Sequence, residues 1–337
     1  MKLSGYTTIR NAKQMDYPFV ATIRSLLTFC DEVVVADSSD EGEGTLDMLQ
    51  DLMDEDERLQ VFHVDIPWDA PNHGIYDGQM KAYARERCTG DYLFQIDCDE
   101  VCQETGMREK IEQVLAKAGP EASLIALPVV EYWGGKDKVR VDVNPWKWRL
   151  SKNDPKITHG IPYQMRWYKD GLLYARHGTD GCDYIYTDTG EVVPCMHFIK
   201  PEVEQIRRHA VTNPQATDMY RYWFQSVIEQ LPTVYHFSWW SIAAKIRKYK
   251  HFWNDSWLTL YGEKGDKPTG WNPFFEKPLS EVTDEEIAEK ARELATETGG
   301  HIFHTSWIGQ KTNSITLEHE LPSCIKEWAE SHSDLSK

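Results

Sequence analysis

The sequence predicts an α/β fold, with a mostly parallel central sheet flanked by helices and a helical C-terminal extension. Three observations lead there. In the first hundred residues, apolar segments of strand length alternate four times with segments of helical spacing, the pattern of a parallel sheet covered by helices. Acidic loops follow the second and fourth strand segments, so they fall at carboxyl ends of the strands, where such sheets bind ligands. Beyond about residue 201 the apolar positions return at helical spacing.

Taken in order, "GYTTIRNA" opens with β-formers and breaks at Asn11, a strand running into a loop. "DYPFVATIRSLLTFC" carries Phe19, Val20, Ile23, Leu26 and Leu27 at helical spacing, with Asp16 as expected N-cap and Pro18 in the first turn. Val33 to Ala36 form a second strand, which runs into the acidic, Gly-containing loop "DSSDEGEGT". "TLDMLQDLMDEDERL" reads as a helix and "QVFHVDI" as a third strand. "DGQMKAYARERCTG" reads as a helix closed by Gly90, and "DYLFQID" as a fourth strand. Residues 123 to 150 look β-rich, and 157 to 200 hold short segments with many Gly, His and Asp. Helices are expected in "PEVEQIRRHAV" and "MYRYWFQSVIEQL", and a basic one in "SIAAKIRKYKHFW". "SEVTDEEIAEKARELATETGG" reads as a capped helix ended by Gly299.

Composition narrows the function classes. The chain has 337 residues, enough for one large domain or two smaller ones. A net charge of −17 argues against a nucleic-acid partner, which requires a basic face. No apolar run approaches the about 20 residues of a membrane span. "MKLSGYTTIRNAK" has no continuous apolar stretch behind its lysine, so no signal peptide is read and a cytoplasmic protein is expected. The seven cysteines are scattered and read as reduced thiols; only Cys98 and Cys102 are close enough in sequence to suggest zinc. No HExxH-like histidine spacing points to a metallohydrolase.

The most informative stretch is "GDYLFQIDCDEV", where an apolar strand ends in Asp97, Asp99 and Glu100. An acid-x-acid pattern alone is weak in so acidic a chain; Asp54-Glu55-Asp56 has it too, on a polar helix end. Context separates the two. Clustered carboxylates stay ionised together most easily around a cation, and oxygen ligands suit Mg²⁺ or Mn²⁺, which commonly bridge to a diphosphate.

Three pieces in this order, "TTIRNAKQMDYPFVATIRSLLTFCDEVVVADSSDEGEGT", "GDYLFQIDCDEV" and "VYHFSWWSIAAKIRKYKHFW", resemble the family-2-like glycosyltransferases with the GT-A (Rossmann-like) fold. The resemblance covers residues 4 to 255 with gaps. It implies a catalytic domain over 1–240, with a nucleotide-sugar half over about 1–102 and an acceptor half over about 103–240, followed by a mainly helical extension over 241–337. It also implies a metal-dependent transfer of a sugar from a nucleoside-diphosphate sugar, UDP or GDP, to a hydroxyl on a carbohydrate acceptor. Such chemistry serves glycan or surface-polysaccharide synthesis, in the cytoplasm or peripherally at the inner membrane face.

The resemblance also implies roles. Asp99 would be the direct ligand of Mn²⁺ or Mg²⁺. Asp97 would lie beside the ribose or a metal-bound water, with Glu100 as a third acid. Asp37 would lie near the nucleoside, with Arg10, Asn11 and Lys81 facing the nucleotide; Arg85 shares a helix face with Lys81. His236 is the expected added metal ligand, with His197 as its competitor. An inverting transfer needs a general base, for which Asp180, Asp183, His159 and Glu131 are candidates. Trp133, Trp146, Trp148 and Trp167 lie between the acids and Asp180 and suggest a sugar-stacking platform, against the ordinary reading of core packing. Two other functions stay open: a nucleotidyltransferase, which would need a Gly-rich loop absent from "TTIRNAKQMDYP", and a non-catalytic carbohydrate-binding protein.

Overall fold

The computed structural model describes residues 1–66, 73–160, 166–169, 172–175, 184–186, 195–196, 198–250, 271–272, 274–297, 300–301 and 311–332. Its elements begin β1 (Leu3–Ile9), α1 (Phe19–Leu27), β2 (Glu32–Asp37), α2 (Thr45–Glu55), β3 (Leu59–His63), α3 (His73–Arg85), β4 (Tyr92–Gln95) and β5 (Glu100–Cys102). They continue with α4 (Met107–Ala118), β6 (Leu124–Glu131), β7 (Val139–Arg140), β8 (Trp146–Lys152), β9 (Ile157–His159), β10 (Arg166–Lys169), β11 (Leu172–Ala175), β12 (Tyr184–Tyr186) and β13 (Cys195–Met196). Next come α5 (Pro201–Ala210), α6 (Pro214–Gln230), β14 (Val234–His236) and α7 (Ile242–Lys248), then helices Asp284–Thr296 and Lys326–Ser331. The chain divides into two compact units, Met1–Leu127 with Trp148–His197, and Pro128–Lys147 with Phe198–Lys337. The boundary expected near residue 240 falls inside the second unit.

The first unit has the expected α/β, mostly parallel sheet. Its strands run β3-β2-β1-β4, all parallel, and β8 adds antiparallel to β4. The parallel strands are covered on both faces, which is why Val33 to Ala36 read as an unbroken apolar run. Tyr6, Val34, Ala36, Met80, Ala84 and Leu93 share one core cluster, so α3 packs on the face formed by β1, β2 and β4. The order 3-2-1-4 reverses between β1 and β4. In open α/β sheets a ligand crevice lies outside the carboxyl ends of strands at such a reversal.

Two local expectations are corrected here. Asp16 does not cap α1: its backbone is left-handed (φ 56°), and the helix starts at Phe19 behind Pro18. Gly90 does not close α3, which ends at Arg85. It lies just before β4, against β1, where an added Cβ would lie 2.8 Å from Ser4 N and 2.9 Å from Lys2 O. Glycine is required there by close backbone approach.

In the second unit the last residues of β6 pair in parallel with β14, with Val129 opposite Val234 and Glu131 opposite His236. Trp133, Trp239, Ile242, Ile246, Ile287 and Leu294 belong to its core cluster. The helix Asp284–Thr296 carries the predicted capping box, Thr283 with Glu286; Gly299, its expected end, lies outside the described residues. Two cations of the basic stretch bond internally: Lys245 of α7 donates to Ser238 Oγ, and Lys250, just beyond it, donates to Val282 O at 2.6 Å. Among the described residues no helix is long and apolar enough to cross a membrane.

Candidate active site

The turn after β4 is built by its own acids. Glu100 N donates to Asp97 O at 2.9 Å, and Asp97 N donates to Glu100 Oε2 at 3.0 Å. Thr22 of α1 ties the turn down from below, donating from Oγ1 to Cys98 O and Glu100 O. The loop thus projects from the carboxyl end of β4, beside the reversal in strand order.

Its charge is balanced by two buried cations. Lys81 of α3 lies 2.7 Å from Asp97 Oδ1 and 3.3 Å from Asp77. Arg149 of β8 donates to Gln95 Oε1 at 2.5 Å, to Asp97 Oδ2 at 3.2 Å and to Glu100 Oε1 at 2.6 Å. Gln95 Nε2 donates to Asp97 Oδ1 at 3.0 Å. Glu100 is fully buried and Asp99 is buried on the same turn.

This arrangement divides the three acids. Glu100 spends one oxygen on Arg149 and the other on the turn's own N–H, so it serves the turn's shape. Asp97 is shared between two protein cations. The donor set still fits a hard divalent ion in its chemistry, because it consists of carboxylate oxygens. No group of three His, Cys, Asp or Glu among the described residues is arranged to hold a metal ion as it stands. A cation at Asp97 would share that carboxylate with Lys81 and Arg149.

The other expected nucleotide contacts lie at neighbouring strand ends. Asp37 ends β2 fully buried; its carboxylate meets His63 Nδ1 at 2.9 Å and accepts from Ser39 Oγ at 2.6 Å. Asn11 takes a left-handed backbone (φ 45°) after β1 and binds Asp40 through both ends of its amide, at 2.6 and 2.8 Å. Arg10 stands 3.9 Å from Asp40. Arg85, though on the Lys81 face, is buried and donates to Ile157 O, Ser151 Oγ and Lys152 O, so it braces β8 and β9.

His159 is buried at the end of β9, its Nε2 2.7 Å from the hydroxyl of Tyr6. Asp180, Asp183 and His197 lie outside the described residues. Trp133 and Trp146 are buried, and Trp148 is half-buried against Leu124 and Ile157. Trp133 stacks on Trp239 at 5.1 Å, so it is core and presents no ring face for a sugar. The side chain of Trp167 lies outside the described residues.

In the second unit His236 meets Glu131. Its Nδ1 lies 2.6 Å from Glu131 Oε2, while Lys147 Nζ lies 2.6 Å from Glu131 Oε1. Burial alone would raise the Glu131 carboxyl; the charges and hydrogen bonds of His236 and Lys147 outweigh it and hold the group well below the usual carboxylate range. The cluster sits at the carboxyl ends of two neighbouring parallel strands.

Sequence reasoning missed Arg149, Gln95 and Lys147. A signal was there: "WKWRL" sets two cations in a strand otherwise fit for burial, and a buried cation requires a carboxylate.

No protein-family model and no curated protein matches the chain. Solved structures similar to it include S. aureus TarS 1–349, at 13% identity over 95% of this chain and 98% of that one, with a TM-score of 0.34. TarS 1–349 in complex with UDP-GlcNAc is similar at 12% identity, over 95% and 98%, with a TM-score of 0.34. The mannosyltransferase PcManGT from Pyrobaculum calidifontis, in complex with GDP-Man and Mn²⁺, is similar at 14% identity over 37% of this chain and 35% of that one, with a TM-score of 0.29. Likeness at this level is too slight to set residues on one another.

Proposed function

We propose that this protein is a metal-dependent glycosyltransferase, moving a sugar from a nucleoside-diphosphate sugar to a hydroxyl of a carbohydrate acceptor. One observation carries the reading: the acidic turn Asp97–Glu100, with Lys81 and Arg149, stands at the carboxyl end of β4 beside the reversal in a 3-2-1-4 sheet. That position suits a nucleotide, and the mixture of carboxylates and cations suits a diphosphate. Asp37, Arg10 and Asn11, at the ends of the neighbouring strands, are the groups for the nucleoside.

Asp99 and Asp97 would hold Mn²⁺ or Mg²⁺, which when bound supplies positive charge to the departing diphosphate. Lys81 supplies more of the same charge from the protein. The acceptor hydroxyl must lose its proton, and Asp180, Asp183 and His159 are the groups proposed to take it. His236, held by Glu131, is proposed as an added metal ligand through its other ring nitrogen. A role in glycan or surface-polysaccharide synthesis, in the cytoplasm or peripherally at the inner membrane face, follows from the same reading.

Thermal unfolding with UDP, GDP, CDP and dTDP, each with and without Mn²⁺, tests it on wild type and Asp99→Asn. A ligand at about 100 times its Kd adds about 2.7 kcal/mol, a shift of a few degrees at this length. One nucleotide should stabilise the wild type with metal, and Asp99→Asn should lose that gain. If no nucleotide shifts the wild type under either condition, the transferase reading falls.

A further inference from the structure

The second unit holds a cavity of about 590 Å³, one side of which is the loop from Trp133 to Lys138. Tyr132 pairs with Val139, Trp133 N donates to Lys138 O at 2.9 Å, and the chain between them turns through Gly134 (φ 67°) and Gly135 (φ 134°). The loop is tied down at two further points. Gly134 N donates to Trp239 O at 2.8 Å, and Thr316 Oγ1 donates to Asp137 O at 2.7 Å. Gly134 is pressed on the helix Asp284–Thr296, where an added Cβ would lie 3.1 Å from the Cβ of Ala295. At Gly135 an added Cβ would meet nothing within 4 Å. The loop is therefore anchored on one side and open on the other, and the volume is that of a small-molecule site.

The inner walls are apolar, built from Trp133, Trp240, Ala295, Leu321 and Ala329. Both indole N–H groups are spent on backbone carbonyls, Trp240 Nε1 on Ala329 O at 2.8 Å and Trp133 Nε1 on Leu294 O at 3.4 Å. A sugar pressed on these walls would bury its hydroxyls against carbon, which is costly. An apolar body suits them.

The charged lining residues set the other end of the ligand. Lys138 is half-buried, and its ammonium donates to Ala295 O and Glu297 O at the carboxyl end of the helix, where a cation is favoured. Asp137 and Glu330 also line the cavity, but both are exposed, so the least screened charge there is positive. Lys136 is exposed and makes no ion pair among the described residues; Lys326 lies 4.0 Å from an exposed Glu320. These two ammonium groups can turn to an incoming anion.

We propose that this cavity binds an organic anion with an apolar body. The body packs on Trp240, Leu321 and Ala329, and a carboxylate, sulfonate or phosphate head meets Lys136 and Lys326, with the fixed charge of Lys138 behind them. The inference stands apart from the transferase reading, because all the residues it uses belong to the second unit and the acidic turn belongs to the first.

Fluorescence titration of the full chain with 8-anilinonaphthalene-1-sulfonate tests it, with N-phenyl-1-naphthylamine as the uncharged counterpart. Folded wild type should bind the sulfonate saturably, one per chain, and dodecanoate should displace it at lower concentration than dodecanol. Lys136→Glu with Lys326→Glu, at exposed positions that leave the core intact, should weaken the sulfonate about tenfold or more and leave the neutral compound within about twofold. Leu321→Trp, which fills the cavity, should weaken both compounds. An unchanged sulfonate affinity after the charge reversal overturns the inference, as does an equal loss for the neutral compound. Binding that is absent from the folded wild type, or that appears only as urea loosens the chain, overturns it too. Should Leu321→Trp fail to fold, the charge reversal decides alone.

Discussion

Arg149 Nη2 lies 2.6 Å from Glu100 Oε1, and both side chains are buried, Glu100 completely. A pair of this kind adds little over an apolar replacement, but breaking it from one side strands a charge. Glu100→Ala is expected to destabilise the protein by about 3–5 kcal/mol. The double change Glu100→Ala with Arg149→Met should recover part of that loss, because the residues are in contact and couple. Urea unfolding of the three variants and wild type measures it. If the double variant is no more stable than Glu100→Ala, the pair is not the cause.

Glu32, at the opposite end of the sheet, makes a pH prediction. Burial would raise its carboxyl, but hydrogen bonds from Ser4 Oγ, from Thr89 N and Oγ1 and from Lys2 Nζ outweigh that and bring it to about 2, against an ordinary 4.5. A folded-state value below the unfolded one means the unfolded chain takes up the proton first as pH falls. The stabilisation is therefore complete above about pH 4.5 and disappears as pH falls toward 2. Glu32→Gln should cost about 2 kcal/mol at pH 7. The gap to wild type should narrow steadily between pH 5 and pH 3. A gap in urea midpoint that is constant over this range would show that the charge of Glu32 is not what stabilises.

The parallel sheet was within reach of the sequence because strand-like apolar segments alternate with helices that carry one apolar face. Val33 to Ala36 and the segment before Asp97 need no partner to be recognised. The acidic turn was legible for the same reason, since three acids after a buried strand are anomalous wherever the strand pairs. Its charge balance was not legible. Arg149 reaches Asp97 because β8 returns antiparallel beside β4, with Leu150 opposite Phe94, and no local pattern specifies that pairing. Clustered carboxylates need positive charge nearby, and Lys81 and Arg149 supply part of it from elements that no local pattern ties to the turn. His236 illustrates the same limit. The sequence offered it as a metal ligand, while its partner Glu131 depends on β6 and β14 being neighbours.

Gly90 gives a backbone prediction. A methyl group there would stand 2.8 Å from Ser4 N and 2.6 Å from Ser4 Oγ, and the Ser4 hydroxyl cannot retreat freely because it holds Glu32 at 2.5 Å. Gly90→Ala should force β1 and the start of β4 apart and cost about 3 kcal/mol. Hydrogen exchange should show the loss first at the amides of Asp91 and Tyr92, which donate to Lys2 O. Equal stability of wild type and Gly90→Ala would mean that the two strands have more room than this spacing gives them.

The Glu131–His236 pair fixes which ring nitrogen carries the proton. Glu131 is held well below the usual carboxylate range, so it is ionised and can only accept. At 2.6 Å from Glu131 Oε2, Nδ1 must therefore be the protonated nitrogen, and in the neutral ring the lone pair belongs to Nε2. Lys147, 3.3 Å from the same Nδ1, donates instead to the other Glu131 oxygen at 2.6 Å. A carboxylate holding Nδ1–H is the arrangement that orients a metal-bound imidazole. Nitrogen-15 NMR of the ring should show His236 in the Nδ1–H form, and Glu131→Ala should shift it toward the commoner Nε2–H form. Paramagnetic Mn²⁺ with the preferred nucleotide should broaden the His236 ring signals beyond those of the surface histidine His209 if Nε2 serves the metal. An Nε2–H tautomer in wild type would remove His236 from the list of ligands and leave Glu131 as a purely structural anion.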